Sequence, residues 1–140
     1  MNKYNAAALI SRINDQAQKL ITTELEAQGI EGIVPSHGGV LMFLYQKDGL
    51  SVTELAEAIG RTQPTVTVLV NKLEKLGYVK RVKSQTDQRV TLIALTSKGR
   101  ELEPIFRSVS ARLNEKLYGN LSKDEGLELE RLLDKITHRF

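Results

Sequence analysis

The side chains best able to do chemistry fall into two neighbouring sets. Gln63, Thr65, Thr67, Asn71 and Lys72 lie in the run from Thr62 to Leu76. Lys80, Arg81, Lys83 and Arg89 follow, with Asp87 two residues before the last. Amides and hydroxyls at helical spacing suit base edges in a DNA major groove, and clustered cations suit phosphates. Catalysis has no comparable footing. Ser, His and Asp are present, but no nucleophile elbow, phosphate loop or metal motif frames them. With no Cys and only His37 and His138, a closed zinc site would need carboxylates gathered from distant segments, so neither a metal nor a cofactor is expected.

Charge supports the same division. Between Arg61 and Arg100 nine Lys or Arg residues face only Glu74 and Asp87, a local balance of +7, which leaves −4 for the rest of a chain whose total is +3. One surface built to meet phosphates produces this asymmetry. At 140 residues and 41% hydrophobic, the chain has the size and composition of one globular domain. Its longest apolar run, Val40 to Tyr45, is far short of a membrane span, and the N-terminal Ala-Ala-Ala-Leu-Ile is too brief for a signal peptide. A cytoplasmic location is the default.

The positioning elements can be read from periodicity. Val66, Leu69, Val70, Leu73 and Leu76 put one side of the Thr62–Leu76 helix into a core. Pro64, Thr67, Val68, Asn71 and Lys75 remain outside, flanked by Gln63, Thr65 and Lys72. A merely solvated face would carry the same residues, so the neighbours decide. Upstream, Ser51-Val-Thr-Glu54 is a capping box opening a short helix that Gly60 stops. Two short helices joined at a glycine make a helix-turn-helix, although a plain helical hairpin would share the pattern.

Downstream of Gly77, Tyr78–Lys83 and Val90–Leu95 read as two strands around the polar turn 84–88. Lysines also protect exposed strand edges, but that role says little about Asp87-Gln-Arg89 at the tip. A helix-turn-helix followed by such a hairpin is a winged helix.

Apolar helical stripes flank this unit. Ala6 to Leu25 forms the first, and Ser36 is expected to cap a second helix through Val40, Leu41, Phe43 and Leu44. Thr96 caps a long helix that Pro104 should bend, and Leu121-Ser-Lys-Asp-Glu125 opens a last helix bearing Leu129, Leu132, Leu133 and Ile136. The fold class is mainly α with a small β-hairpin: one domain, 1–140, with a winged helix-turn-helix at 35–96, its wing at about 79–96. Flanking helices occupy 1–34 and 97–140.

These features resemble the MarR family of winged-helix transcriptional regulators. The likeness is strongest from Ser51 to Gly99, through Leu55-Ala-Glu-Ala-Ile-Gly60, Val66 to Gly77, and Asp87-Gln-Arg89 leading to Leu95-Thr-Ser-Lys-Gly99. The order of elements matches over essentially the whole chain. The resemblance implies a homodimer whose outer helices interdigitate, holding two recognition helices about 34–36 Å apart on a pseudo-palindromic double-stranded site. It places Gln63, Pro64, Thr67 and Val68 on bases, and Thr65 and Lys72 on backbone phosphates. Arg89 becomes the wing arginine of the minor groove, Asp87 the acid that orients it, and Lys80, Arg81 and Lys83 phosphate contacts. Thr62 and Asn71 complete the recognition-helix set.

Pro64 and Val68 depart from the Ser and basic residue common in the family. Without a guanine-gripping cation at the helix centre, an A·T-rich half-site is expected. The resemblance also implies repression relieved by a small aromatic effector, for which His37, Phe43 and Tyr45 are candidate pocket residues. For the two aromatics core packing is the simpler role, and His37 could serve only as a helix-start hydrogen-bonder. The rival classes are a winged-helix protein-interaction module, which needs no local +7, and a non-specific architectural DNA binder.

Overall fold

The computed structural model describes residues 3–140. In chain order it contains α1 (Ala6–Ala27), α2 (Pro35–Gln46), α3 (Val52–Ile59), α4 (Gln63–Lys75), β1 (Val79–Lys83), β2 (Thr91–Leu95), α5 (Ser97–Glu101), α6 (Glu103–Tyr118) and α7 (Lys123–Thr137). The fold is mostly helical with one antiparallel hairpin, as the periodicity indicated.

The core lies where α2, α3 and α4 meet the inner face of the hairpin. Val40, Leu41 and Leu44 of α2, Leu55 of α3, Val66, Val70 and Leu73 of α4, and Ile93 of β2 are fully buried. Leu25 near the end of α1 and Phe106 and Val109 of α6 close the same cluster from the other side. A salt bridge from Arg112 to Glu24, 3.3 Å, lies across the α1–α6 contact.

The short helices owe their limits to local chemistry. Ser51 Oγ accepts the Glu54 amide and Glu54 Oε1 accepts the Ser51 amide, both at 3.1 Å, so the expected capping box forms. Gly60 ends α3 in the left-handed conformation, φ +69, which L side chains rarely adopt. Thr62 caps α4, and Pro64 sits where its missing donor costs nothing.

In the hairpin Val79 pairs with Leu95, Arg81 with Ile93, and Lys83 with Thr91. Leu50 adds a single bridge to Ile93, its amide giving 3.1 Å to the Ile93 carbonyl and its carbonyl receiving the Ile93 amide at 2.7 Å. This ties the start of the helix-turn-helix to the wing.

Two expectations need correction. Ser36 does not cap α2. The cap position is Val34, whose amide donates to His37 Nδ1 at 3.0 Å, and Pro35 opens the helix with its preset φ. The helix expected to run from Thr96 through a bend at Pro104 is two helices. Pro104 has no amide to give the Arg100 carbonyl, and the ladder is interrupted at Leu102.

The last element leaves its apolar stripe uncovered, as the first half of α1 does with Leu9, Ile10 and Ile13. The capping box of Ser122 and Glu125 forms as expected, yet only Gly126 of α7 is buried, near the Tyr118 ring. Leu129, Leu132, Leu133 and Ile136 remain 37–43% exposed.

Candidate nucleic-acid interface

The outward side of α4 is built as its apolar spacing requires. With Val66, Leu69, Val70 and Leu73 buried, Gln63, Pro64, Thr65, Asn71 and Lys72 are exposed and Thr67 is half-buried. Val68 is 67% exposed midway along this face, able to meet a methyl group. At the helix start the two hydroxyls engage each other. Thr62 Oγ1 accepts the Thr65 amide at 3.4 Å and lies 2.9 Å from Thr65 Oγ1. Thr62 is thus occupied with capping.

The wing turn is knitted by short polar contacts. Ser84 Oγ accepts the Asp87 amide at 3.3 Å and lies 3.0 Å from Thr86 Oγ1, and the Val90 amide reaches the Asp87 carbonyl at 2.9 Å. On this frame Asp87 holds Arg89 by three bonds. The Arg89 amide and Nε donate to Oδ1, both at 3.1 Å, and Nη2 donates to Oδ2 at 3.3 Å. The Arg89 side-chain and backbone hydrogen bonds keep the Asp87 carboxyl below its ordinary range. The arginine side chain is 90% exposed. It is aimed but not consumed.

The other wing cations do not share one face. Strand alternation puts Arg81 and Lys83 on the side of Val79, and Lys80 on the opposite side. Lys80 borders a cleft with Asp48 and Arg100 behind the hairpin, and Lys83, at the end of the strand, reaches the rim of the same cleft. Lys83 makes only a long contact to Thr91 Oγ1, 3.4 Å. Arg81 is engaged with α4, donating Nη2 to Asn71 Oδ1 at 2.8 Å and Nη1 to Glu74. Lys72 lies near Gly32 in the loop before α2.

Residues after the wing hold it in place, and spacing alone did not show how. Thr96 Oγ1 donates to the Gly77 carbonyl at 2.6 Å and accepts the Gly99 amide at 3.1 Å. Lys98 Nζ donates to the Leu76 carbonyl at 2.8 Å and sits 4.8 Å from the Tyr78 ring centre, capping the end of α4. A Cβ at Gly99 would collide with the Tyr78 carbonyl oxygen, so only glycine permits this approach. Asp48 was also missed. Its Oδ1 accepts the Leu95 amide at 2.8 Å and the Gly49 amide at 3.0 Å, and Oδ2 accepts from Arg100. The Asp-Gly pair signalled a turn, but not the partner across 47 residues.

His37, Phe43 and Tyr45 are not brought together. His37 and Tyr45 are eight residues apart on α2, about 12 Å of helix, and Phe43 and Tyr45 face nearly opposite ways. Burial, then the Lys72 charge, holds the His37 ring below its ordinary value. This fits a neutral acceptor for the Val34 amide. Phe43 is half-buried against the core. Tyr45 donates to the Gly99 carbonyl at 2.7 Å, and its ring centre is 6.4 Å from that of Phe106. Burial, then Glu103 and Tyr78, raises its phenol well above the ordinary value. Of the three, Tyr45 lines a cavity, about 190 Å³, with Asp48, Arg100 and Glu103. A larger hollow of about 380 Å³ lies between α1 and α6, lined by Ile13, Ala17, Leu20, Leu113 and Leu117.

A polar-faced helix set against a cationic hairpin, between outer helices, defines a winged-helix protein of the MarR type. The profile described as the MarR family matches residues 31–90. The HTH-type transcriptional regulator MgrA of Staphylococcus aureus is 32% identical over 101 residues, 72% of this chain and 67% of the relative. The chain belongs to the MarR family. Its fold superposes on the S. aureus MepR–DNA complex with a TM-score of 0.87 at 28% identity, covering all of both chains. Against a mutant of E. coli MarR complexed with operator DNA the TM-score is 0.81 at 25% identity, covering 97% and 99%. No helix among the described residues is long and apolar enough to cross a membrane.

Proposed function

We propose that the chain is a homodimeric, sequence-specific double-stranded DNA-binding regulator of the cytoplasm. It represses transcription until a small aromatic effector releases it, and it performs no catalysis. The observation that carries DNA binding is the surface itself. The α4 face of Gln63, Pro64, Thr67 and Val68 has no core role, and beside it the wing ends in a guanidinium pre-oriented by Asp87. The DNA bound to MepR and to MarR in their structures supports the reading. The uncovered stripe of α7 supports pairing, because a helix with a continuous apolar side needs a partner to bury it.

Val68 and the Thr67 methyl favour thymine methyls, Gln63 favours adenine, and Arg89 favours a narrow minor groove, so the half-site is A·T-rich. Release follows if the effector binds best when the two recognition helices are wrongly spaced. It then lowers DNA affinity by no more than the ratio of its affinities for the two states.

Selection from a random duplex library, followed by titration of the selected and a scrambled duplex at two salt concentrations, tests this. The expected result is an A·T-rich palindromic consensus, strong discrimination and a steep salt dependence. Arg89→Ala should weaken the selected duplex roughly tenfold. Equal binding of both duplexes would instead make the protein an architectural binder.

A further inference from the structure

We infer that Arg81 is a positioning residue that fastens the wing to α4, rather than a contact to DNA phosphate. The inference rests on the DNA-binding reading above, and it reassigns two side chains expected to meet DNA directly.

Strand alternation is the first support. Arg81 projects from the same face of β1 as Val79, opposite the fully buried Ile93 of β2, and so toward the helix. The second is the pairing. Nη1 binds Glu74, and Nη2 binds Asn71 Oδ1 at 2.8 Å. Asn71 and Glu74 are three residues apart and present adjacent acceptors to one planar fork. A lysine ammonium, a single point on a flexible stem, does not reproduce that two-point grip. The third is solvation. The Arg81 side chain is 32% exposed, whereas that of Arg89 is 90% exposed.

The charge balance follows. Glu74 is the one acid of α4, and Arg81 neutralises it locally. The pair adds little net field toward phosphate, as Arg89 with Asp87 also does, and the wing's uncompensated charge is left to Lys80 and Lys83. A partly exposed ion pair contributes little to stability. Its effect is geometric: it sets the offset between the helix that enters a major groove and the hairpin that reaches the next minor groove. Both must arrive together for a cognate site to be preferred.

The test uses the full-length protein with the selected and scrambled duplexes, comparing Arg81→Ala, Arg81→Lys and Glu74→Gln with Lys83→Ala. The expected result for Arg81→Ala is roughly tenfold weaker binding of the selected duplex. Scrambled duplex should be nearly unaffected, and the slope of log affinity against log salt unchanged. Lys83→Ala should weaken both duplexes and flatten the slope by about 0.9. Glu74→Gln, although it makes the face more cationic, should weaken the selected duplex, and Arg81→Lys should remain defective. Tighter binding by Glu74→Gln, full rescue by lysine, or a flattened slope for Arg81→Ala would overturn the inference.

Amide hydrogen exchange on the DNA-free protein supplies a second readout. Exchange at residues 85–90 should accelerate in Arg81→Ala and Glu74→Gln but not in Lys83→Ala, and unchanged exchange there overturns the clamp. If the wild type fails to discriminate the two duplexes, the regulator reading falls while exchange still decides whether the clamp exists.

Discussion

Two helices of similar length, α4 and α7, carry the same apolar period and meet opposite fates. In α4 the stripe of Val66, Leu69, Val70 and Leu73 is buried by α2, α3 and the hairpin, and the other face is left for a ligand. In α7 the stripe of Leu129, Leu132, Leu133 and Ile136 is left open by the described residues. Spacing therefore specifies that a helix has an apolar side, but not whose side chains will meet it. In one helix the exposed face is polar and is the candidate site. In the other the exposed face is apolar, the face that the proposed dimer would cover.

The sharpest way to break this contrast is to charge the uncovered stripe. Leu132→Glu combined with Leu133→Glu should abolish pairing at micromolar concentration while the circular dichroism spectrum stays helical. Sedimentation should show single subunits, and persistence of a pair would place the interface elsewhere. The matching change in α4, Leu73→Ala, removes a fully buried side chain and should cost about 2–5 kcal/mol of unfolding free energy in denaturant titration. Little loss would mean that the core around α4 is not the one described.

A finer comparison uses the two capping boxes. Ser51→Ala and Ser122→Ala should each cost about 1 kcal/mol. The first should appear in the unfolding of the winged body, and the second chiefly in the dimer association constant. If both appear only in unfolding, α7 is part of the body after all. The smallest effect concerns pH. The folded His37 ring sits below its ordinary value of 6.5, so below that value the unfolded chain takes a proton that the folded chain refuses. Stability should be complete above about pH 6.5, decline as pH falls, and level off once the folded ring is protonated too. His37→Gln, which keeps an acceptor for Val34, should flatten that decline in denaturant titrations from pH 7.5 to 5.

Much of this was legible beforehand because it is local. The helix limits at Ser51, Gly60, Thr62 and Ser122 depend on residues three or four apart, and the hairpin on a polar turn between alternating strands. The placements that escaped depend on distance along the chain. Arg81 is a wing cation like its neighbours until the register of the hairpin against α4 brings it to Asn71 and Glu74. Asp48 is a turn residue until β2 returns beside it. The start of α2 escaped because no hydroxyl caps it: His37 at the third position accepts the Val34 amide, the part a glutamate plays in a capping box. Pro104 was seen, but a missing rung was underestimated as a bend.

That rung separates the two regions just compared. At Leu102 the rod from the reading body toward the outer helices changes from α5 to α6, and the Arg100 carbonyl there has no donor from Pro104. Tilting about this joint sacrifices no proline hydrogen bond, because none was present. In a paired molecule, a rotation among the outer helices would reach the reading heads through this joint as well as through the packing of Leu25, Phe106 and Val109 on the core, and one imino acid would loosen the first of those routes.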